Sequence, residues 1–232
     1  VSPALGETLS AVLSDGFLAN SSEPWRIPDA ADIPPIPVLH PAGPADAPHN
    51  GDGAFLPYYR DDETLARPWA VPGTPGLEHR IGGLSKAPET GNVSYNPLHH
   101  ERMVRERAEK IARLAEVIPP QEVFGPQSGE LLLVSWGGSF GAVGSAGAAA
   151  QRRGQAVAHA HLRYLNPLPS YLRDVLSRYR QVVVPELNGG QLAFLLRGRY
   201  ALNIRSYPKV HGRPFTISEI SRTINYELGI RN

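Results

Sequence analysis

Apolar positions along this chain fall into two regimes. From residue 98 onward they recur with the periods of regular structure, whereas between about residues 27 and 97 they do not. Residues 131–136 (Leu-Leu-Leu-Val-Ser-Trp) form a short apolar run with the length of a buried strand, and residues 137–141 (Gly-Gly-Ser-Phe-Gly) form a turn cluster. Residues 142–153 are Ala-rich with small side chains, the composition of a packed helix. Residues 155–162 read as a second strand. In residues 169–179, Leu172, Val175, Leu176 and Tyr179 stand at helical spacing. Residues 181–187 predict a third strand and residues 189–200 a third helix. Strands alternating with helices of this length imply parallel strands joined by crossovers, covered on both faces. The expectation over residues 130–232 is therefore an α/β domain with a mostly parallel sheet.

The flanks are less uniform. Residues 7–13 are mildly apolar and run into a Ser-Asp-Gly turn. Most of the 23 prolines lie between residues 27 and 97, and residues 33–37 must be extended, because each proline fixes its own φ and restrains the residue before it. Two explanations fit a stretch this long without periodicity: a disordered linker, or an ordered arm lying across a neighbouring surface. Phe55, Tyr58, Tyr59, Trp69, Leu77 and Tyr95 favour the arm, since disordered segments are poor in aromatics. Asn96 and Pro97 are a helix start, with Asn as cap and Pro at the first position. The helix expected over residues 98–118 carries Met103, Ala108, Ile111, Leu114, Ala115 and Ile118 as its apolar stripe. Glu101–Arg105, Glu106–Lys110 and Glu109–Arg113 are its (i, i+4) pairs. Residues 204–210 read as a last strand, which Pro208 confines to an edge. Thr216 and Glu219 form a capping box for a final helix with Ile217, Ile220, Ile224 and Leu228 as its buried stripe, ended by Gly229.

Composition excludes several functions. The 23 Lys and Arg are matched by 22 Asp and Glu, so nothing in the balance calls for nucleic acid. The chain has no cysteine, and hence no disulfide, thiolate metal site or iron–sulfur ligation of its own. No apolar run is long enough for a membrane span. The first residues lack the basic and apolar regions of a signal peptide, and the absence of an initiator Met suggests a fragment or a product with its front removed. A cytoplasmic location is the matching expectation.

Candidate chemistry gathers where the strands end. Gly137, Gly138 and Ser139 open a loop, continuing to Gly144, between a strand and a helix. Backbone N–H groups there could face a phosphate, which allows a nucleotide- or coenzyme A-binding module. The second strand ends without an acid for a ribose hydroxyl, and tight packing of helix on sheet explains the glycines equally well. Glu186 and Asn188 lie at the end of the third strand, with Gln191 just beyond and Asn166 in the loop after the second strand. Together with Ser139 they form a rim that suits a ligand cleft or a subunit contact. The structural alternative gives Asn188 to a helix cap and Glu186 to backbone donors or a neighbouring Arg. His159 and His161 share one strand face and read as structural histidines, while the adjacent His99 and His100 point apart. No acid–base pair, Ser–His–Asp arrangement or metal constellation stands out, so the residues predict no catalytic group and no bound metal.

Four stretches carry a family resemblance. Residues 13–25 (Leu-Ser-Asp-Gly-Phe-Leu-Ala-Asn-Ser-Ser-Glu-Pro-Trp) resemble the end of the thiamine-pyrimidine domain in the α subunit of 2-oxoacid:acceptor (ferredoxin) oxidoreductases, especially the 2-oxoglutarate type. Residues 74–79, 91–97 and 100–104 resemble that family's connecting arm. Residues 136–141 are similar to the first strand and turn of its transketolase C-terminal-like domain. Residues 183–192 (Val-Val-Pro-Glu-Leu-Asn-Gly-Gly-Gln-Leu) are the most specific match, with Gly189 where the family usually has Leu or Met and Ser21 where Gly is common. The resemblance implies a division into residues 1–26 as the tail of a pyrimidine-type domain, 27–97 as an extended arm, 98–118 as a linking helix and 130–232 as the transketolase C-terminal-like α/β domain. It also implies an assembled enzyme that decarboxylates a 2-oxoacid on thiamine diphosphate, passes electrons through an iron–sulfur cluster to ferredoxin and forms an acyl-CoA. A β subunit supplies the diphosphate, magnesium and cluster side. The family's thiamine-domain motifs are absent from these 232 residues, so the resemblance assigns this chain no catalytic residue and no cofactor held alone. It makes the β subunit and a separate pyrimidine domain its partners.

Overall fold

Proline and glycine deny residues 27–35 and 40–97 a ladder, and the backbone there is held instead by turns. The computed structural model describes residues 16–35 and 40–230, with only the backbone of Phe17 and Leu18. The apolar segment at residues 7–13 and part of the proline run at 33–37 lie outside the described residues. A four-residue helix, α1 (Gly16–Ala19), precedes the arm. Within the arm, Asp29 caps a 3-10 turn at Ala30–Asp32, a second such turn spans Pro44–Asp46, and isolated bridges join His49 to Phe55, Tyr58 to Glu89 and Lys86 to Val93. Leu77 and Ala47 are buried within it. Residues 40–97 are thus tied together by turns and isolated bridges.

Of the described residues, 25–117 form one unit with the arm, and 16–24 with 118–230 form a second that carries the sheet. The first unit ends in α2 (Pro97–Arg113). Asn96 Oδ1 accepts from the Leu98 N–H at 2.9 Å, and Pro97 sits at the first position. The helix is shorter than the expected 98–118, because its end tightens into a 3-10 turn at Leu114–Glu116 ahead of Pro119 and Pro120. Its stripe is also less apolar than expected. Leu114 is buried, but Met103 and Ile111 are half-buried and Ala108 is exposed, while Lys110 lies on the buried side. Glu101 meets Arg105 at 4.0 Å and Glu109 meets Arg113 at 3.1 Å. Glu106 also meets Arg102 at 2.7 Å and Arg60 of the arm at 3.0 Å.

In the second unit, β1 (Val123–Phe124), β2 (Gly129–Trp136), β3 (Val157–Leu162), β4 (Tyr179–Glu186) and β5 (Ile204–Pro208) form one sheet in the order β1-β3-β2-β4-β5. All pairings are parallel except that of β1 with β3. The crossovers are α3 (Phe140–Arg152), α4 (Leu172–Ser177) and α5 (Gln191–Tyr200), and α6 (Ile217–Glu227) follows β5. Side chains alternate across the sheet. Leu132, Val134, Val182 and Val184 face α4 and α5, while Leu131, Leu133 and Val183 face α3 and α6. With both faces covered, residues 131–134 have no exposed surface. At about 2 kcal/mol per fully buried aliphatic side chain, these four contribute roughly 8 kcal/mol before the entropy of ordering is set against them.

Two details differ from the sequence expectation. Tyr179 is not the last residue of a helix over 169–179 but the first of β4. Its helical spacing from Leu172, Val175 and Leu176 comes from burial on the same side, and α4 spans six residues only. In α6 the capping box is present, with Thr216 Oγ1 accepting from the Glu219 N–H at 3.2 Å and Glu219 Oε2 accepting from the Thr216 N–H at 2.7 Å. Ile220 and Ile224 are fully buried, but Ile217 is half exposed. Pro208 ends β5, the edge strand expected from it.

Candidate functional site

In an open parallel sheet, ligands gather where successive crossovers leave in opposite directions. Here that point lies between β2 and β4: the chain leaves β2 for α3 on one face and leaves β4 for α5 on the other. The residues marked in the sequence do end here, and most are spent on the fold. Gly137 has φ +56, which lets the chain turn sharply out of β2. Ser139 is buried; its hydroxyl donates to the Trp136 carbonyl at 2.7 Å and accepts from the Trp136 N–H at 3.3 Å. Gly138 is half-buried in the same 3-10 turn. Beyond it, Gly144 and Gly147 lie against His159: a Cβ on Gly144 would meet the His159 ring at 3.5 Å.

Glu186 is fully buried at the end of β4. The N–H groups of Leu192 and Ala193 donate to its Oε2 and Oε1 at 2.8 and 3.1 Å. A carboxylate thus holds two of the orphan donors at the start of α5, where the helix dipole also favours negative charge. Asn188 Oδ1 accepts from the Gly190 N–H at 2.8 Å and from the Gln191 N–H at 3.4 Å, closing the turn. Gly190, not Asn188, is the residue at the helix cap, in a left-handed conformation at φ +99. Gln191 is exposed in the first turn, and Asn166 is exposed ahead of Pro167. The structure joins Glu186, Asn188 and Gln191 into one capping arrangement. Among the described residues, no hydrogen bond links Ser139 or Asn166 to them. Ser206 Oγ, also buried here, has no partner among the described residues.

A second polar cluster escaped the sequence reading. Ser135 on β2 lies between two imidazoles of β3, with Oγ 2.7 Å from His159 Nε2 and 2.8 Å from His161 Nδ1. Phe140 packs edge-on to His161 at 4.9 Å between centroids, and Phe124 lies 5.8 Å from His159. Burial pushes His159 down to about 4, with His161 adding to it; burial, then the nearby Arg163, also lowers His161. Both rings are therefore neutral near pH 7. The hydroxyl donates to one and accepts from the other, which satisfies the group without activating it. Among the described residues no carboxylate orients either ring, and His159, held at about 4, is a weak base, so the cluster lacks what a nucleophile needs. The histidines share a face, as their alternation predicted. The pairing of Ser135 with His161 across the strands is what the one-dimensional pattern omitted. Among the described residues, no group of three His, Cys, Asp or Glu side chains is placed to hold a metal ion.

No protein-family model matches the chain. The 2-oxoglutarate oxidoreductase subunit KorA of Mycobacterium tuberculosis (strain ATCC 25618 / H37Rv) is 52% identical over 221 residues, 95% of this chain and 32% of KorA. The solved 2-oxoglutarate:ferredoxin oxidoreductase from Magnetococcus marinus, with 2-oxoglutarate, coenzyme A and succinyl-CoA bound, superposes with a TM-score of 0.71 at 28% identity. That match covers 78% of this chain and 32% of that one. The chain is related to the α-type subunits of 2-oxoacid:ferredoxin oxidoreductases. It spans about a third of the length of the relatives it matches. At the strand ends, Glu186, Asn188 and Ser139 are engaged in capping and turn hydrogen bonds. Its most specific stretch, residues 183–192, holds the carboxylate and amide that fasten α5 to β4. With no cysteine, the segment offers no thiolate to an iron–sulfur cluster. No helix among the described residues is long and apolar enough to cross a membrane.

Proposed function

We propose that this chain is the carboxyl-terminal portion of the α subunit of a thiamine-diphosphate-dependent 2-oxoacid:ferredoxin oxidoreductase of the 2-oxoglutarate type. In the assembled enzyme, oxidative decarboxylation yields an acyl-CoA, and this portion serves assembly and positioning. The observation that carries the reading is the 52% identity to KorA across 95% of the chain. The use of Glu186, Asn188 and Ser139 inside the fold supports a structural role for the portion itself. Residues 1–26 are then the tail of the pyrimidine-type domain, 27–97 the arm that leads from it, 98–118 the linking helix and 130–232 the transketolase C-terminal-like domain. Thiamine diphosphate, magnesium, the iron–sulfur cluster and coenzyme A belong to the assembled enzyme. Its partners are the β subunit and the pyrimidine domain, with ferredoxin as electron acceptor, in the cytoplasm.

The test is reconstitution. The chain is co-expressed with the remaining α-subunit sequence and a cognate β subunit, and coenzyme A-dependent reduction of ferredoxin by 2-oxoglutarate is followed. Activity is expected only when all parts are present, and the chain should co-purify with the others. A chain that stays apart from both partners under native conditions overturns the proposal.

A further inference from the structure

The strongest unassigned feature lies where β3 ends, beside the start of α3. A cavity of about 100 Å³ opens there, lined by the aromatic rings of Phe124, Phe140 and Tyr164, by the His161 imidazole, and by Arg163 and Glu122 as its charged groups. All six residues belong to the sheet unit. The three aromatic side chains are 37–45% exposed, so their rings are not used up by the core. Phe140 stands edge-on to Phe124 at 6.0 Å and to His161 at 4.9 Å between centroids. The carboxyl ends of parallel strands are where open α/β sheets place ligands.

Two polar groups of this lining are unspent. His161 Nδ1 is held 2.8 Å from Ser135 Oγ, and its Nε2 has no partner among the described residues. Arg163 is exposed and makes no hydrogen bond or ion pair among the described residues, yet it stands near enough to the imidazole to lower its pKa. Glu122 is the carboxylate of the lining, and no ion pair joins it to Arg163 among the described residues. Gln121, by contrast, is engaged: its Nε2 donates to the Glu122 and His161 carbonyls at 2.8 and 3.1 Å, which ties the segment before β1 to β3. When the Ser135 hydroxyl donates to Nδ1, the ring proton sits on Nε2 and gives the cavity a neutral donor. Ser135 then accepts from His159 Nε2, 2.7 Å away, so side chains inside the sheet hold that tautomer.

We propose that this cavity binds a small organic monocarboxylate with an apolar body, the body against Phe124 and Phe140 and the carboxylate at Arg163 and the His161 Nε2–H. Its volume is that of roughly three waters and lies below the ~300–1,000 Å³ of pockets for drug-sized ligands, so it admits a group the size of a single ring. A guanidinium fork matches a planar carboxylate, and an imidazole N–H adds a second direction of approach. With Glu122 in the same lining, one guanidinium leaves too little positive charge for a phosphate dianion. The ligand is held and not transformed, since the Ser135 cluster activates no nucleophile. The site does not rest on the oxidoreductase reading, and its test does not use that activity.

The test is titration calorimetry of the 232-residue chain with benzoate, benzyl alcohol and benzylamine, which share a ring and differ in charge. Benzoate should bind at one site per chain with a dissociation constant on the order of 1 mM, ordinary for a ligand of about nine non-hydrogen atoms. The neutral and cationic probes should bind more weakly. Arg163→Gln, an exposed position, should weaken benzoate binding several-fold, whereas Glu122→Gln should tighten it. In proton NMR, the His161 ring signal, assigned by its loss in His161→Gln, should shift as benzoate is added. If His161→Gln does not fold, the Arg163 and Glu122 variants decide the outcome. Silence of benzoate at tens of millimolar, equal or tighter binding of benzyl alcohol or benzylamine, an unmoved His161 signal, or unaltered affinity in the Arg163→Gln chain overturns the proposal.

Discussion

Glu186 offers the sharpest test of how the strand ends are built. Its carboxylate is fully buried and accepts from Leu192 and Ala193 at 2.8 and 3.1 Å. Replacing it with Ala leaves two backbone N–H groups inside the fold without an acceptor and removes a negative charge from a helix N-terminus. A hydrogen bond to a charged group contributes about 1.5 kcal/mol or more, and two give roughly 3 kcal/mol. Loss of the dipole interaction and a small cavity add to this, while rearrangement and water entry offset part of it. The expected loss for Glu186→Ala is therefore about 3 kcal/mol. For a sheet unit of this size that corresponds to a fall in melting temperature of about 12 °C. Glu186→Gln keeps one acceptor oxygen and should lose about half as much. The assay is urea unfolding followed by tryptophan fluorescence, with calorimetry as a second probe. A Glu186→Ala chain within 0.5 kcal/mol of the parent, or a Gln variant worse than the Ala variant, refutes the capping role.

The remaining predictions concern its surroundings. His159 is held at about 4 against an ordinary 6.5, so the unfolded chain binds its proton more readily than the folded one. Its contribution is intact above pH 6.5 and is lost as pH falls from 6.5 toward 4. Between pH 7 and pH 5 this lowers stability by about 2 kcal/mol, and a folded His159→Gln variant should lose that share of the slope; parallel pH profiles for the two chains contradict the assignment. Gly190→Ala places a Cβ 2.8 Å from Ser206 Oγ at φ +99 and should destabilise by about 2 kcal/mol or more. Gly144→Ala meets His159 at ordinary contact distance inside α3 and should stabilise by about 0.5–1 kcal/mol, with thermal melts of the pair as the check. Ser206→Ala removes a buried hydroxyl that has no partner among the described residues. It should be neutral or stabilising by up to about 1 kcal/mol, whereas a clear loss in urea unfolding would show that the hydroxyl is satisfied.

The sequence by itself determined whatever depends on neighbours a few residues apart. The Thr216–Glu219 box, the Asn96–Pro97 start and the apolar run at 131–134 are such signals, each written in contiguous residues and each present in the fold. Alternation of strand and helix likewise determined a mostly parallel sheet covered on both faces. It erred where one period has two causes: Tyr179 continues a helical spacing but opens a strand, because burial on one side looks the same from either element. Only the tertiary structure decided which groups meet across elements. Strand register sets Ser135 beside His161, and the left-handed Gly190 lets α5 fall back over Glu186. The folding of the arm against α2 gathers Arg60 and Arg67 with Lys86, Arg107 and Lys110 around one cleft. These are contacts between residues distant in the chain. Their geometry follows from pairing register and from the path of a proline-rich backbone, and neither leaves a local signature in the order of amino acids.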